Sequence, residues 1–502
     1  MKNKDGKPFG VRLECVTKQP FLNDFPLTIF ATAKRRMQAA IRQSRAIITQ
    51  HSLSGYAVLF EDILSGDFLK SIDPTQRQRS FGHIPVLWAW LAQILEANAS
   101  CSKAVGLIQS WCRVCKLPIP SSCTSSYCQA RQRIQVDFLK QIHDRIITRL
   151  SCRVTTRNQW HNFTLKAMDG SSVQLMDTTA NQELYPQPSS QKPGCGFPVM
   201  GIVGLLNLSH GGWEHVETCP YSDHDSKAAA KLTKHLQDGD LLLADRAFCS
   251  YELIASSLAR GSEVLMRLHQ ARSKALDWKQ GKRIGPNERI VTWKRPQYRV
   301  GSTLSVDQWK HLPETLTLRL IRFGYENREG NKVRMILVTS LIDYKKYPEV
   351  ELATLYHQRW DVELKLRDLK TTLGMDRFDV KSPEMAHKTL WMSVIAFNLI
   401  RSLMQKAAGN TGRAVWHISF KGVLDMACSS HESIRCCAGM PLKRTIAMDQ
   451  FISICATKLI DIRPLRREPR ARKRRPKNFQ LLSEPRGKFQ EISHRNRYKK
   501  NA

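Results

Sequence analysis

Apolar positions along the first 155 or so residues recur at helical spacing. Ile84 to Ala97 (IPVLWAWLAQILEA) is strongly apolar, and Lys103 to Cys112 continues the rhythm. After SSCTSS, residues Ile134, Phe138, Ile142, Ile146 and Leu150 repeat every fourth position, which predicts one long amphipathic helix. Near residue 160 the period changes. NFTLKAMDGSSVQLMD predicts two strands joined at the turn dipeptide Asp169-Gly170, and VMGIVGLLNLS predicts a third. SKAAAKLTKHLQ predicts a helix with Ser226 as N-cap. DLLLADRAF reads as a short buried strand ending at Asp245, followed by a helix in YELIASSLARG and a strand in SEVLMRLH. Strands alternating with helices predict an α/β sheet with helices packed on it.

From about 270 to 340 the rhythm breaks. VTWKRPQYRV and ETLTLRLIRFGYENREGNKVRMILVTSL alternate like antiparallel strands, with a turn at NREGN. YHQRWDVELKLRDLK (356–370) then predicts a single helix with two neighbouring edges. At about 100° per residue, Leu355, Val362, Leu366, Leu369 and Leu373 share a core-facing arc. Tyr356, Arg359, Glu363 and Lys370 share the arc beside it, placing an acid between two cations and a phenol. Ion pairs such as Arg359 with Glu363 are also what an ordinary solvated helix face carries. A further long helix opens at Ser382-Pro383-Glu384, with an N-cap, a proline at N1 and an acid in the first turn. It runs through LWMSVIAFNLIRSLM, which is too short and too interrupted by Ser393, Asn398 and Arg401 to span a membrane, so a buried helix is expected.

Composition changes the picture in one respect. The 502 residues, 42% apolar and 24% charged, suit a soluble protein of two to four domains, but 78 Lys and Arg against 44 acids give a net charge of +34. Such a field attracts polyanions, nucleic acid foremost. RPLRREPRARKRRPK, cationic and broken by prolines, reads as a flexible arm that neutralises phosphates. The N-terminus shows no apolar h-region, so a cytosolic location and no membrane association are expected. Most of the fourteen cysteines are then expected to be reduced thiols; Cys112, Cys115, Cys123 and Cys128 lack the paired spacing of a zinc site.

Two acids stand out by position. Asp169 ends its predicted strand, and Asp245 terminates a buried one, where ligands of open α/β sheets bind. With Glu363 they form an oxygen-rich set suited to two hard cations such as Mg²⁺. Two such ions roughly 3.5–4 Å apart can activate an attacking oxygen and stabilise a leaving oxygen of a phosphodiester. Asp177, eight residues after Asp169, is an alternative first ligand.

Tyr356, Arg359, Glu363 and Lys370 match the Y-x2-R-x3-E-x6-K signature without a gap, ADRAF surrounds Asp245, and MDGSS surrounds Asp169. In these blocks the chain resembles the DDE transposases of the insertion-sequence-four family, from about Ile84 to the basic tail. The resemblance implies a ribonuclease H-like mixed sheet flanked by helices with a β-rich insertion. Asp169, Asp245 and Glu363 would be the catalytic, metal-holding acids, and Tyr356, Arg359 and Lys370 would bind DNA phosphates. It implies Mg²⁺-dependent cut-and-paste chemistry with two ions, Mn²⁺ being able to substitute, a hairpin intermediate and strand transfer. The partners would be double-stranded DNA (terminal inverted repeats and target) and a second copy of the chain. The expected organisation is 1–155 helical and DNA-end-binding, 156–265 and 343–408 catalytic, 266–342 the insertion, and 409–502 a helical region with the basic tail. Trp278, Trp293 and Trp309 are candidates for an insertion aromatic that stacks on a flipped base. A metal-dependent nuclease or resolvase on the same fold, or a DNA-binding relative with a spent site, are the alternatives.

Overall fold

The computed structural model describes residues 55–460, apart from 75–79, 98, 156–157, 224, 299–301 and 327–331, together with 37 and 481–489. The expected NREGN turn and the basic run at 463–477 lie outside the described residues. Strands β1 (Thr164–Leu175), β2 (Val199–Asn207), β3 (Gly212–Pro220), β4 (Asp240–Ala244) and β5 (Glu263–Arg267) lie in the order β3-β2-β1-β4-β5. β2 is antiparallel to both β1 and β3, and β4 and β5 follow parallel to β1. That is the ribonuclease H-like arrangement, a mixed sheet flanked by helices.

β1 corrects the expected hairpin. It runs unbroken through Asp169-Gly170, because β2 pairs with it from Lys166 to Gln174. Glycine serves another purpose here: a Cβ on Gly170 would lie 2.5 Å from Asp225 Oδ2, so only a bare backbone lets that carboxylate approach the strand. The helix expected to be capped by Ser226 starts at Asp225, which places Ser226 within its first turn.

The β-rich stretch continues the same sheet. β9 (Lys332–Thr339) pairs antiparallel with β5, followed outward by β8 (Thr315–Glu326), β7 (Glu288–Lys294) and β6 (Lys282–Gly285). A two-residue strand, β10 (Arg377–Phe378), pairs with the end of β1.

Around the sheet, helices Thr124–Arg133 and Val136–Ser151 replace the single long helix expected there, since Ile134 and Gln135 are extended. Helix Pro383–Thr411 starts as its sequence predicts, with the Ser382 side chain accepting from Met385 N and Gly412 closing it at φ 65°. It is buried for most of its length and packs on Val136–Ser151 and β3. Its polar interruptions are tethers. Asn398 both accepts from Trp213 N and donates to Trp213 O at 2.9 Å, and Arg401 Nε donates to His210 O at 3.1 Å. Among the described residues, no helix is long and apolar enough to cross a membrane.

Candidate active site

The sheet register brings the first two acids together. Met168 on β1 pairs with Ala244 on β4, so Asp169 and Asp245 are the next residues on adjacent parallel strands, about 4.8 Å apart. β4 stops there, and β10 rejoins β1 only at Gln174 and Leu175. The gap between them opens the sheet edge in front of Asp169.

The segment carrying the other candidates is not one straight helix. Glu349–His357 ends in a turn at Gln358 and Arg359, Trp360–Arg367 follows, and the chain then widens to a π-helical turn over Asp368–Thr372. No proline or glycine announces either irregularity. Tyr356 and Arg359 face inward, only 1% and 4% exposed, while Glu363 stays exposed. Tyr356 Oη donates to Asp245 Oδ1 at 3.4 Å. Arg359 Nη2 lies 3.3 Å from Glu363 Oε1, and its Nη1 lies 4.0 Å from Asp169 Oδ2. The guanidinium carbon stands 5.7 Å from the centre of the Tyr356 ring. One buried arginine and one buried tyrosine thus link all three acids.

The electrostatics follow from this crowding. Burial pushes the Asp169 carboxyl up to about 6; the Gly170 N–H at 2.9 Å and Arg359 offset it in part, and Glu363 and Asp245 add to it. Burial opposes the charge on Arg359, yet Tyr356, Asp245, Asp169 and Glu363 together hold its pKa above the ordinary value. Burial, reinforced by Asp245 and eased by Arg359, raises that of the Tyr356 phenol.

Lys370 stands apart from this knot. It lines an open cleft of 650 Å³ with Gly170, Ser171, Ser172, Tyr221 and Asp225. Ser171 and Ser172 belong to the MDGSS block, whereas no motif revealed Tyr221 or Asp225; for Asp225 the bare Gly170 is the one trace in the sequence. Asp177 lies beyond the end of β1, accepts from Gln182 Nε2 at 2.9 Å, and sits on the order of 26 Å from Asp169 along an extended strand. Trp309 is a core residue, whereas Trp278 and Trp293 are half-buried beneath Arg322 and Arg272, whose guanidinium carbons lie 3.9 and 4.2 Å from the ring centres.

The donor set suits a hard divalent cation, being carboxylate oxygens at one sheet edge that already interact electrostatically. The geometry is not that of a closed metal cage: among the described residues no three His, Cys, Asp or Glu side chains are gathered closely enough to hold an ion. Glu363 is exposed and pairs with Arg359 at 3.3 Å.

Residues 160–399 match the family model described as the transposase DDE domain. That match, a little under half of the chain, supports a DDE transposase. Over 300 residues it is 27% identical to the transposase InsG for insertion sequence element IS4 of Escherichia coli K12, covering 58% of this chain and 63% of that relative. Over 217 residues it is 25% identical to the Escherichia coli transposase for insertion sequence element IS421, covering 38% and 58%. It thus spans a little under two thirds of these relatives. A solved synaptic complex of the piggyBac transposase with hairpin DNA aligns with a TM-score of 0.42 at 10% identity, over 83% of this chain and 87% of that one. Together these matches support a DDE transposase of the insertion-sequence-four type, a family that generally uses divalent metal ions.

Proposed function

We propose that this DDE transposase excises an insertion sequence and joins it to target DNA, cutting at terminal inverted repeats and passing through a hairpin intermediate. The observation that carries this reading is the register of β1 and β4, which sets Asp169 beside Asp245 at an open sheet edge within reach of the Glu363 helix. Asp169, Asp245 and Glu363 would hold two Mg²⁺ ions, with Mn²⁺ as a substitute. When bound, these ions supply Lewis acidity to the attacking and leaving oxygens of the phosphodiester.

The remaining residues position the DNA. Lys370 projects into the cleft beside Gly170 as a point charge for a backbone phosphate. Arg359 offers a planar fork that can move from the carboxylates to a phosphate as the DNA end docks. Tyr356 orients Asp245 through its hydroxyl. The net charge of +34 provides long-range attraction for the duplex. A second copy of the chain would hold the other DNA end.

Glu363→Gln is expected to retain binding to duplexes taken from the DNA flanking its own coding sequence, while losing Mg²⁺-dependent cleavage. Continued cutting by this variant would remove Glu363 from the site. Cleavage by the wild-type chain without any strand transfer would instead favour a plain nuclease.

A further inference from the structure

We propose that Cys101 and Cys128 form a reversible dithiol–disulfide pair, a redox modification site in the N-terminal helical region and independent of the transposition chemistry. Cys101 is the first residue of helix Cys101–Val114, and Cys128 lies within helix Thr124–Arg133. Their sulfurs face each other at 4.0 Å, although the two residues are 27 positions apart in sequence. Both are half-buried, so a small oxidant can reach them.

The surroundings hold this pair in place. Arg131 Nη2 lies 3.8 Å from Cys101 Sγ and 3.9 Å from Cys128 Sγ, between the two. The guanidinium is itself fixed, its carbon 5.1 Å from the centre of the Tyr127 ring and 5.3 Å from that of Trp90. Gln93 Nε2 donates to Cys101 Sγ at 3.7 Å, and Gln93 Oε1 accepts from Tyr127 Oη at 3.0 Å. The thiolate is the nucleophile of disulfide exchange. Burial and the neighbouring Cys101 raise the Cys128 thiol, with Arg131 lowering it in part.

The chemistry balances with a small-molecule disulfide such as oxidised glutathione. One protein thiolate attacks it, forming a mixed disulfide and expelling one glutathione thiolate. The second protein thiol, losing its proton, attacks the protein sulfur of that mixed disulfide and expels the second glutathione. Two electrons pass from the protein to the oxidant, and the new S–S bond closes to about 2 Å. The product ties the two helices together beside the buried Trp88–Trp90 face.

The test uses the full chain incubated with oxidised glutathione, quenched with an alkylating agent and mapped by peptide mass spectrometry. A Cys101–Cys128 linked peptide is expected to dominate, with two of the fourteen thiols lost and both recovered in excess reduced glutathione. Cys128→Ser should leave Cys101 as a stable glutathione mixed disulfide. Arg131→Gln should slow linkage several-fold without abolishing it. Absence of the linked peptide from the folded wild-type chain, its appearance only in urea, or equal linkage among other cysteines would overturn the proposal. Circular dichroism melts of each sample establish which material was folded.

Discussion

Two buried ionic clusters lie at opposite ends of β4, three residues apart along β1, and they are built differently. At one end Lys166 is saturated, 3.0 Å from Glu214 and 2.9 Å from Asp240. Asn207 donates to Glu214 at 2.9 Å, and Gln237 N donates to Asp240 at 2.8 Å. Despite burial, His210, Lys166 and Asn207 hold Glu214 well below the usual carboxylate range, while burial, partly offset by Lys166, raises Asp240. At the other end one arginine is shared among acids at 3.3 and 4.0 Å, and Asp169 sits at about 6. The first cluster is closed and serves the fold. The second has more negative charge than its cation can satisfy, which is the arrangement a site awaiting a further positive ligand needs.

The comparison breaks most visibly at Lys166. Lys166→Met leaves two buried carboxylates without their cation and should cost about 3–5 kcal/mol in denaturant unfolding. The opposite sign is expected at the other end. Asp169→Asn removes a buried carboxylate that the fold holds against its preference, and should stabilise the protein by about 1–3 kcal/mol at neutral pH. The sign follows from linkage: a folded pKa of about 6 against an ordinary 3.8 means the folded chain binds the extra proton, so stability is lost as pH rises between those values. The difference between Asp169→Asn and wild type should therefore grow from about pH 4 to about pH 6 and then level off. If both variants destabilise equally, the two clusters are of one kind.

Smaller effects sharpen the same contrast. Arg359→Gln removes the shared cation, so Mn²⁺ binding measured calorimetrically should tighten about tenfold, while binding to DNA weakens. Weaker or unchanged Mn²⁺ binding would show that Arg359 does not compete for those oxygens. Lys370→Ala, at an open cleft, should shift the melting temperature little and lower affinity for DNA ends at moderate salt. Unchanged end binding and strand transfer would remove Lys370 from the phosphate contacts.

Much of this was legible in the residues. The apolar LLLA run fixes β4 and delivers Asp245 at its end, and Ser382-Pro383-Glu384 marks the start of the central helix. The failures share a cause, which is tertiary contact overriding a local signal. Asp169-Gly170 reads as a turn, but pairing with β2 carries the strand through it, and the glycine answers to Asp225. β3 escapes notice because its Glu214 is polar yet buried against Lys166, which spoils the alternation. The break at Gln358-Arg359 leaves no composition mark: helical spacing placed Arg359 on one arc with Tyr356, Glu363 and Lys370, but did not show that Arg359 is buried among the acids while Lys370 stands apart.

Mn²⁺ binding to the complex with a DNA end, followed by electron paramagnetic resonance, tests the central claim most directly. The wild-type complex is expected to bind two ions, and Asp169→Asn, Asp245→Asn and Glu363→Gln each to lose at least one while still holding the DNA. Retention of both ions by any of these folded variants would contradict a site shared by the three carboxylates.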